Sequence, residues 1–221
     1  MTPTRLIALT FALLLSVPAL AADAPAPAKP EAVKPAPVAA VATLNPGDMA
    51  PDFTLTDIDG VQHSLSKYLA DGKIVVLEWF NPDCPFIIKH HKLNTTMNDT
   101  FGYFASRGVV WLAINSSAAG KQGAGLERNQ AAHKEYGMIF PILMDESGKV
   151  GRAYGAKTTP HMFVIGKDGK VVYTGAIDDD PSPTVRGQRN HVINALRAAL
   201  EGRPAPEPST KPYGCSVKYA N

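Results

Sequence analysis

Two of the 221 residues are cysteine, and their settings differ. Cys84 closes the run Val75-Val76-Leu77-Glu78-Trp79-Phe80-Asn81-Pro82-Asp83 and is followed at once by Pro85-Phe86-Ile87. An apolar strand therefore hands over to a helix at the sulfur. Pro85 takes the first helical position, where its missing N–H is no loss. Orphan N–H groups and the macrodipole at a helix start favour negative charge, the condition for a reactive thiolate. Such a sulfur attacks a disulfide or a peroxide, and the mixed disulfide or sulfenic acid it forms needs a second thiol to clear it. Cys215 is the only other thiol in the chain. It follows Gly214 on a stretch stiffened by Pro204, Pro206, Pro208 and Pro212, which can fold back over the Cys84 end or reach a second subunit. The pair points to thiol redox chemistry.

The elements that must position these sulfurs follow from periodicity. Strands are expected at 52–57 and 61–65, joined by the Asp59-Gly60 turn, and at 73–80, 109–115 and 140–145. A hairpin over 162–165 and 171–174 turns at Lys167-Asp168-Gly169-Lys170. Helices are expected over 85–106, 127–136, 150–154 and 184–201. In the last of these Val185, Val192, Ile193, Leu196 and Leu200 make one apolar stripe. The order predicts an α/β domain: a mixed sheet with helices on both faces and an N-terminal β-hairpin extension.

Composition narrows the setting. Arg5, the apolar run 6–17 and Ala19-Leu20-Ala21 read as a signal peptide over 1–21, too short for a membrane span. Export, to the periplasm in a Gram-negative cell, is the expectation. Residues 22–45, rich in Ala and Pro, form a semi-rigid linker, 46–202 the folded domain and 203–221 a Pro-rich tail carrying Cys215. The net charge of +2 implies neither nucleic acid nor an anionic membrane surface. Two cysteines are too few to staple a small scaffold, so a hydrophobic core holds the fold, and an oxidising compartment permits a disulfide between them.

Three segments together resemble the thioredoxin superfamily, in its exported TlpA-like and AhpC/TSA-like redoxin branch. Met49-Ala50-Pro51-Asp52-Phe53-Thr54-Leu55 is similar to the entry strand of that branch. Tyr154-Gly155-Ala156-Lys157-Thr158-Thr159-Pro160 resembles its cis-proline loop, and Gly214-Cys215-Ser216-Val217-Lys218 the end of certain peroxiredoxin-like redoxins. The resemblance implies a thioredoxin-like fold and places Glu78, six residues before Cys84, as the buried acid that shuttles protons. It further implies that Pro160 is cis beside the sulfur, with the Thr159 backbone free to pair with an incoming chain. Thr159, Pro160, Pro85 and Trp79 are the candidate substrate contacts, although an aromatic at a strand end more often packs the core. Two departures stand out. Ile87 occupies the resolving position of Cys-x-x-Cys, which leaves resolution to Cys215. The peroxiredoxin pattern Pro-x-x-x-Thr-x-x-Cys meets Leu77 and Asn81 instead of Pro and Thr.

The expected activity is thiol-dependent oxidoreduction through Cys84, Glu78 and Cys215, with a thiol electron donor, a disulfide or hydroperoxide substrate and no cofactor or metal. The alternative is a non-catalytic module that holds a client or a copper ion, with Cys84–Cys215 as a structural staple. Closing that span of about 130 residues would stabilise the fold by about 5 kcal/mol on the chain-entropy model. Copper chaperones of this fold use Cys-x-x-x-Cys and a distant histidine, which the chain lacks. Lys89-His90-His91-Lys92 reads as a solvated face, His161 as a surface histidine, and Asp178-Asp179-Asp180 as a solvated turn. Oligomeric state is left open.

Overall fold

The computed structural model describes residues 44–221, so the expected signal peptide and all but the end of the linker lie outside them. The central strand is β3 (Ile74–Trp79), whose six residues are all buried. Alternation sends Ile74 and Val76 into one core, with Glu78 between them and Phe80, and Val75, Leu77 and Trp79 into the other. A strand buried on both faces needs partners on both edges. β3 has them in β4 (Val109–Asn115), parallel, and β7 (Met162–Ile165), antiparallel. With β1 (Thr54–Asp57), β2 (Gln62–Ser64), β5 (Ile142–Met144) and β8 (Val171–Gly175), the order is β2-β1-β5-β4-β3-β7-β8. The N-terminal hairpin thus extends the sheet beyond β5, antiparallel to it.

Helices cover both faces. α1 (Leu65–Ala70) and α5 (Lys149–Tyr154) pack Leu65, Val150 and Tyr154 around Trp79 and Phe163. α2 (Pro85–Ile88), α3 (Thr96–Phe104), α4 (Leu126–Glu135) and α6 (His191–Leu200) bring Ile87, Met97, Phe104, Ala132, Val192 and Leu196 to the face that holds Cys84.

Two helices differ from the sequence expectation. The stretch 85–106 is not continuous. After α2 the backbone widens into a π-helical turn, Lys89–Leu93, where the Asn94 N–H bonds to the Lys89 carbonyl five residues back. Thr95 then takes φ +49°, a left-handed conformation that starts α3 in a new direction. The last helix begins at His191, not at 184. Asn190 caps it, accepting the Ile193 N–H at 2.9 Å, and Val185 is exposed outside the stripe.

The tail takes the first of its two expected courses. It returns along the end of the sheet that carries Cys84, and β9 (Cys215–Ser216) pairs antiparallel with β6 (Thr158–Thr159).

Candidate active site

Cys84 caps α2 with extended backbone, and its residue is fully buried. Its thiol donates to the Thr159 carbonyl at 2.9 Å. The Thr159–Pro160 peptide is cis, and Pro85 is exposed beside the sulfur. Strand register sets Cys215 opposite Thr159, whose carbonyl accepts the Cys84 thiol, and this brings the tail cysteine beside Cys84. Burial first, then the neighbouring Cys84 thiol, push the Cys215 thiol up to about 11. Both cysteines are free thiols, Cys84 buried and Cys215 half-buried. Gly214 makes the approach possible: at φ +138°, a Cβ there would stand 2.2 Å from the Thr159 oxygen. The Thr159 backbone is therefore not open to an incoming chain, because the protein's own tail lies against it.

Glu78 is fully buried on the Cys84 face of β3. One carboxylate oxygen lies 2.6 Å from His91 Nε2 and the other accepts the Trp111 indole N–H at 3.0 Å. The expectation of a solvated Lys89–Lys92 face is wrong at three of its four positions. Lys89, His90 and His91 are all buried, and only Lys92 reaches solvent, where it pairs with Glu135. His91 turns to the sheet and Glu78. Lys89 and His90 turn to the tail and the loop after β8.

There the tail is anchored. Tyr213, two residues before Cys215, donates to the Asp178 carboxylate and lies 2.9 Å from His90 Nε2. Lys89 Nζ donates to the Asp180 carbonyl at 2.5 Å, sits 3.7 Å from Asp178 and lies over the Tyr213 ring. The expected solvated Asp178–Asp180 turn is corrected at one of its three positions: Asp179 is exposed and Asp180 half-buried, but Asp178 is buried and also accepts the Gly187 N–H at 2.7 Å. Sequence reading missed this network because each member, taken alone, is an ordinary surface residue type.

A model of the family described as AhpC/TSA matches residues 46–174. The chain belongs to the AhpC/TSA family. The thiol-disulfide oxidoreductase ResA of Geobacillus thermodenitrificans is 32% identical over 133 residues, which cover 59% of this chain and 70% of the relative. The structure of a conserved Geobacillus kaustophilus protein is 34% identical with a TM-score of 0.71, over 81% of this chain and 94% of that one. A Chlorobium tepidum protein, described as a DsbE-type thiol:disulfide interchange protein, shares the thioredoxin-like fold at 24% identity. Its TM-score is 0.54, over 72% of this chain and 98% of that one. This AhpC/TSA protein is thus an oxidoreductase of the thioredoxin-like class.

A further expectation for this AhpC/TSA member needs correction. Trp79 is no substrate platform. It is fully buried in the opposite core from Cys84, against Tyr154 and Phe163, with its indole N–H on Ser116 Oγ. Asn81, at the position of the peroxiredoxin threonine, is buried as a loop tie: its amide donates to Ser117 and to the Gln122 carbonyl.

His161 is buried, not on the surface. Nδ1 accepts the Lys157 backbone N–H and Nε2 donates to Thr174 Oγ1, which describes a neutral ring. Burial first, then the Lys157 charge, lowers His161 to about 3, and burial likewise lowers His90 to about 3 against the pull of Asp178. Unfolded, both imidazoles take a proton near pH 6.5; folded, neither does until about pH 3. The unfolded chain thus binds more protons across that window, and stability falls as pH drops through it, by several kcal/mol in all, to order of magnitude. Urea midpoints measured from pH 7.5 down to pH 4 should decline steadily, and His161→Gln should flatten the decline. A constant midpoint in the wild type contradicts neutral buried rings.

Proposed function

We propose that the protein is an exported thiol oxidoreductase in which Cys84 attacks a disulfide or hydroperoxide and Cys215 resolves the product. The observation that carries this reading is the pairing of β6 with β9, which sets Cys215 opposite the residue that accepts the Cys84 thiol although the chain lacks Cys-x-x-Cys. Attack on a disulfide leaves a mixed disulfide on Cys84 and releases one thiolate. Attack on a hydroperoxide leaves a sulfenic acid and releases an alcohol or water. In either case the Cys215 sulfur displaces the leaving group, the Cys84–Cys215 bond forms, and two electrons have passed to the oxidant. Glu78, buried on the same face as Cys84, is the internal acid–base group, with His91 as its partner. Pro160 and the exposed Pro85 border the sulfur. A thiol donor returns the electrons. Export follows from the signal-peptide pattern of residues 1–21.

The well-anchored tail favours one rival, in which the same disulfide is a permanent staple. The reduction potential separates the two. Oxidised protein should show a Cys84–Cys215 bond by peptide mapping, with a potential above about −300 mV; a value below that marks a structural bond.

A further inference from the structure

The tail is seated along its length. Thr210 Oγ1 lies 2.5 Å from the Tyr173 hydroxyl and accepts the Ala176 N–H at 3.0 Å. Tyr213 is held by Asp178 and His90. Past Cys215, Val217 N–H bonds to the Lys157 carbonyl at 3.1 Å, and the Lys218 carbonyl accepts the Ala118 N–H at 2.9 Å. Tyr219 donates to the Ala156 carbonyl at 3.0 Å and lies against the Arg152 guanidinium. The surface beneath is cut to receive it. A Cβ on Gly175 would stand 2.2 Å from Thr210 Oγ1, and one on Gly151 2.5 Å from the Tyr219 hydroxyl.

Two consequences follow for anything that approaches the sulfurs. An extended polypeptide binds a strand by taking its edge hydrogen bonds, and on β6 the tail already holds that place. Cys84 also lies beneath the tail with no exposed surface, whereas Cys215 is half-buried beside the exposed Ser216.

We propose that the reducing partner of this site is a small thiol that reacts at Cys215, and that the seated tail shuts an extended polypeptide out of β6. The proposal rests on the reading of Cys84 and Cys215 as a redox pair. In the oxidised chain a small thiolate attacks the Cys215 sulfur. The Cys84–Cys215 bond breaks, and Cys84 leaves with the electron pair as a thiolate. A second small thiolate attacks the sulfur now bound to Cys215, the small disulfide departs, and Cys215 takes a proton from solvent. Two thiolates become one disulfide and two electrons enter the protein. Cys215, with its thiol pushed up to about 11, is a poor leaving group, and attack at its own sulfur makes Cys84 the leaving group in the step that opens the bond.

The test uses the full oxidised wild-type chain with glutathione as the small thiol. Samples are mapped before addition and after acid quenching at early times. Glutathione should be found on the Cys215 peptide with Cys84 free, in at least about tenfold excess over the opposite adduct. A glycine–serine decapeptide with one central cysteine should reduce the chain at least about ten times more slowly than glutathione. A Cys84–Cys215 bond followed by glutathione on Cys84, or equal rates for the two thiols, overturns this proposal alone. A map with no Cys84–Cys215 bond before glutathione is added overturns the redox-pair reading, and this proposal with it.

Discussion

Cys84→Ser should lower turnover of both a small disulfide and hydrogen peroxide by about a thousandfold or more, because a serine hydroxyl has neither the acidity nor the nucleophilicity of a thiol. The fold should hardly notice. The Cys84 thiol donates to the Thr159 carbonyl, and a serine hydroxyl donates in the same direction from nearly the same point. Activity and stability therefore separate in this variant. A melting temperature within a few degrees of wild type beside lost turnover assigns the chemistry to the sulfur. Cys215→Ser should behave differently. Its first attack on oxidant proceeds, but the product persists on Cys84 as a sulfenic acid or mixed disulfide that mass spectrometry detects, and multiple turnover stops. Unchanged turnover in Cys84→Ser, with both oxidants, would leave the protein without this mechanism.

How much of this was legible depended on the range of the interactions. β3, β4 and the β7–β8 hairpin stand within a residue or two of their sequence expectations, because alternation and apolar runs are local signals. The handover from strand to helix at Cys84 was legible for the same reason, as was an α/β sheet with helices on both faces, while the thioredoxin-like form of that fold came from the resemblance. The surroundings of the site were not. The π-helical turn at Lys89–Leu93 exists because three polar side chains find buried partners on β3, on the tail and after β8, up to 124 residues away in sequence. Nothing in Lys-His-His-Lys carries that information, and composition alone argued for solvent. The seat of the tail was not legible for a related reason. Its short β9 pairing is too brief to show a period, and its fit depends on glycines at 148, 151, 175 and 214 whose purpose appears only when Tyr219, Thr210 and Thr159 lie against them. Isolated glycines in a strand or a short helix were the one available signal of a close backbone approach.

The largest stability effect should come from Glu78 and His91. Both side chains have no exposure, and their 2.6 Å contact lies in the core that also holds Cys84. Removing one partner of such a pair leaves the other buried without compensation, at a cost of about 3–5 kcal/mol. Glu78→Leu also strands the Trp111 indole N–H, which bonds to the second carboxylate oxygen, so it should be the worse of the two single variants. Replacing both by leucine removes the charge and its partner together. The double variant should therefore cost less than the two singles combined, by about 2 kcal/mol or more, measured as a double-mutant cycle in urea. Additive costs would mean that the two groups do not stabilise each other. The same pair bears on catalysis through Glu78→Gln, whose amide still accepts from Trp111 yet cannot carry a proton. If Glu78 moves protons for the Cys84 and Cys215 sulfurs, this variant should lose the pH dependence of the exchange rate as well as its speed. A slower rate with an unchanged pH profile would limit Glu78 to holding His91 and Trp111 in place.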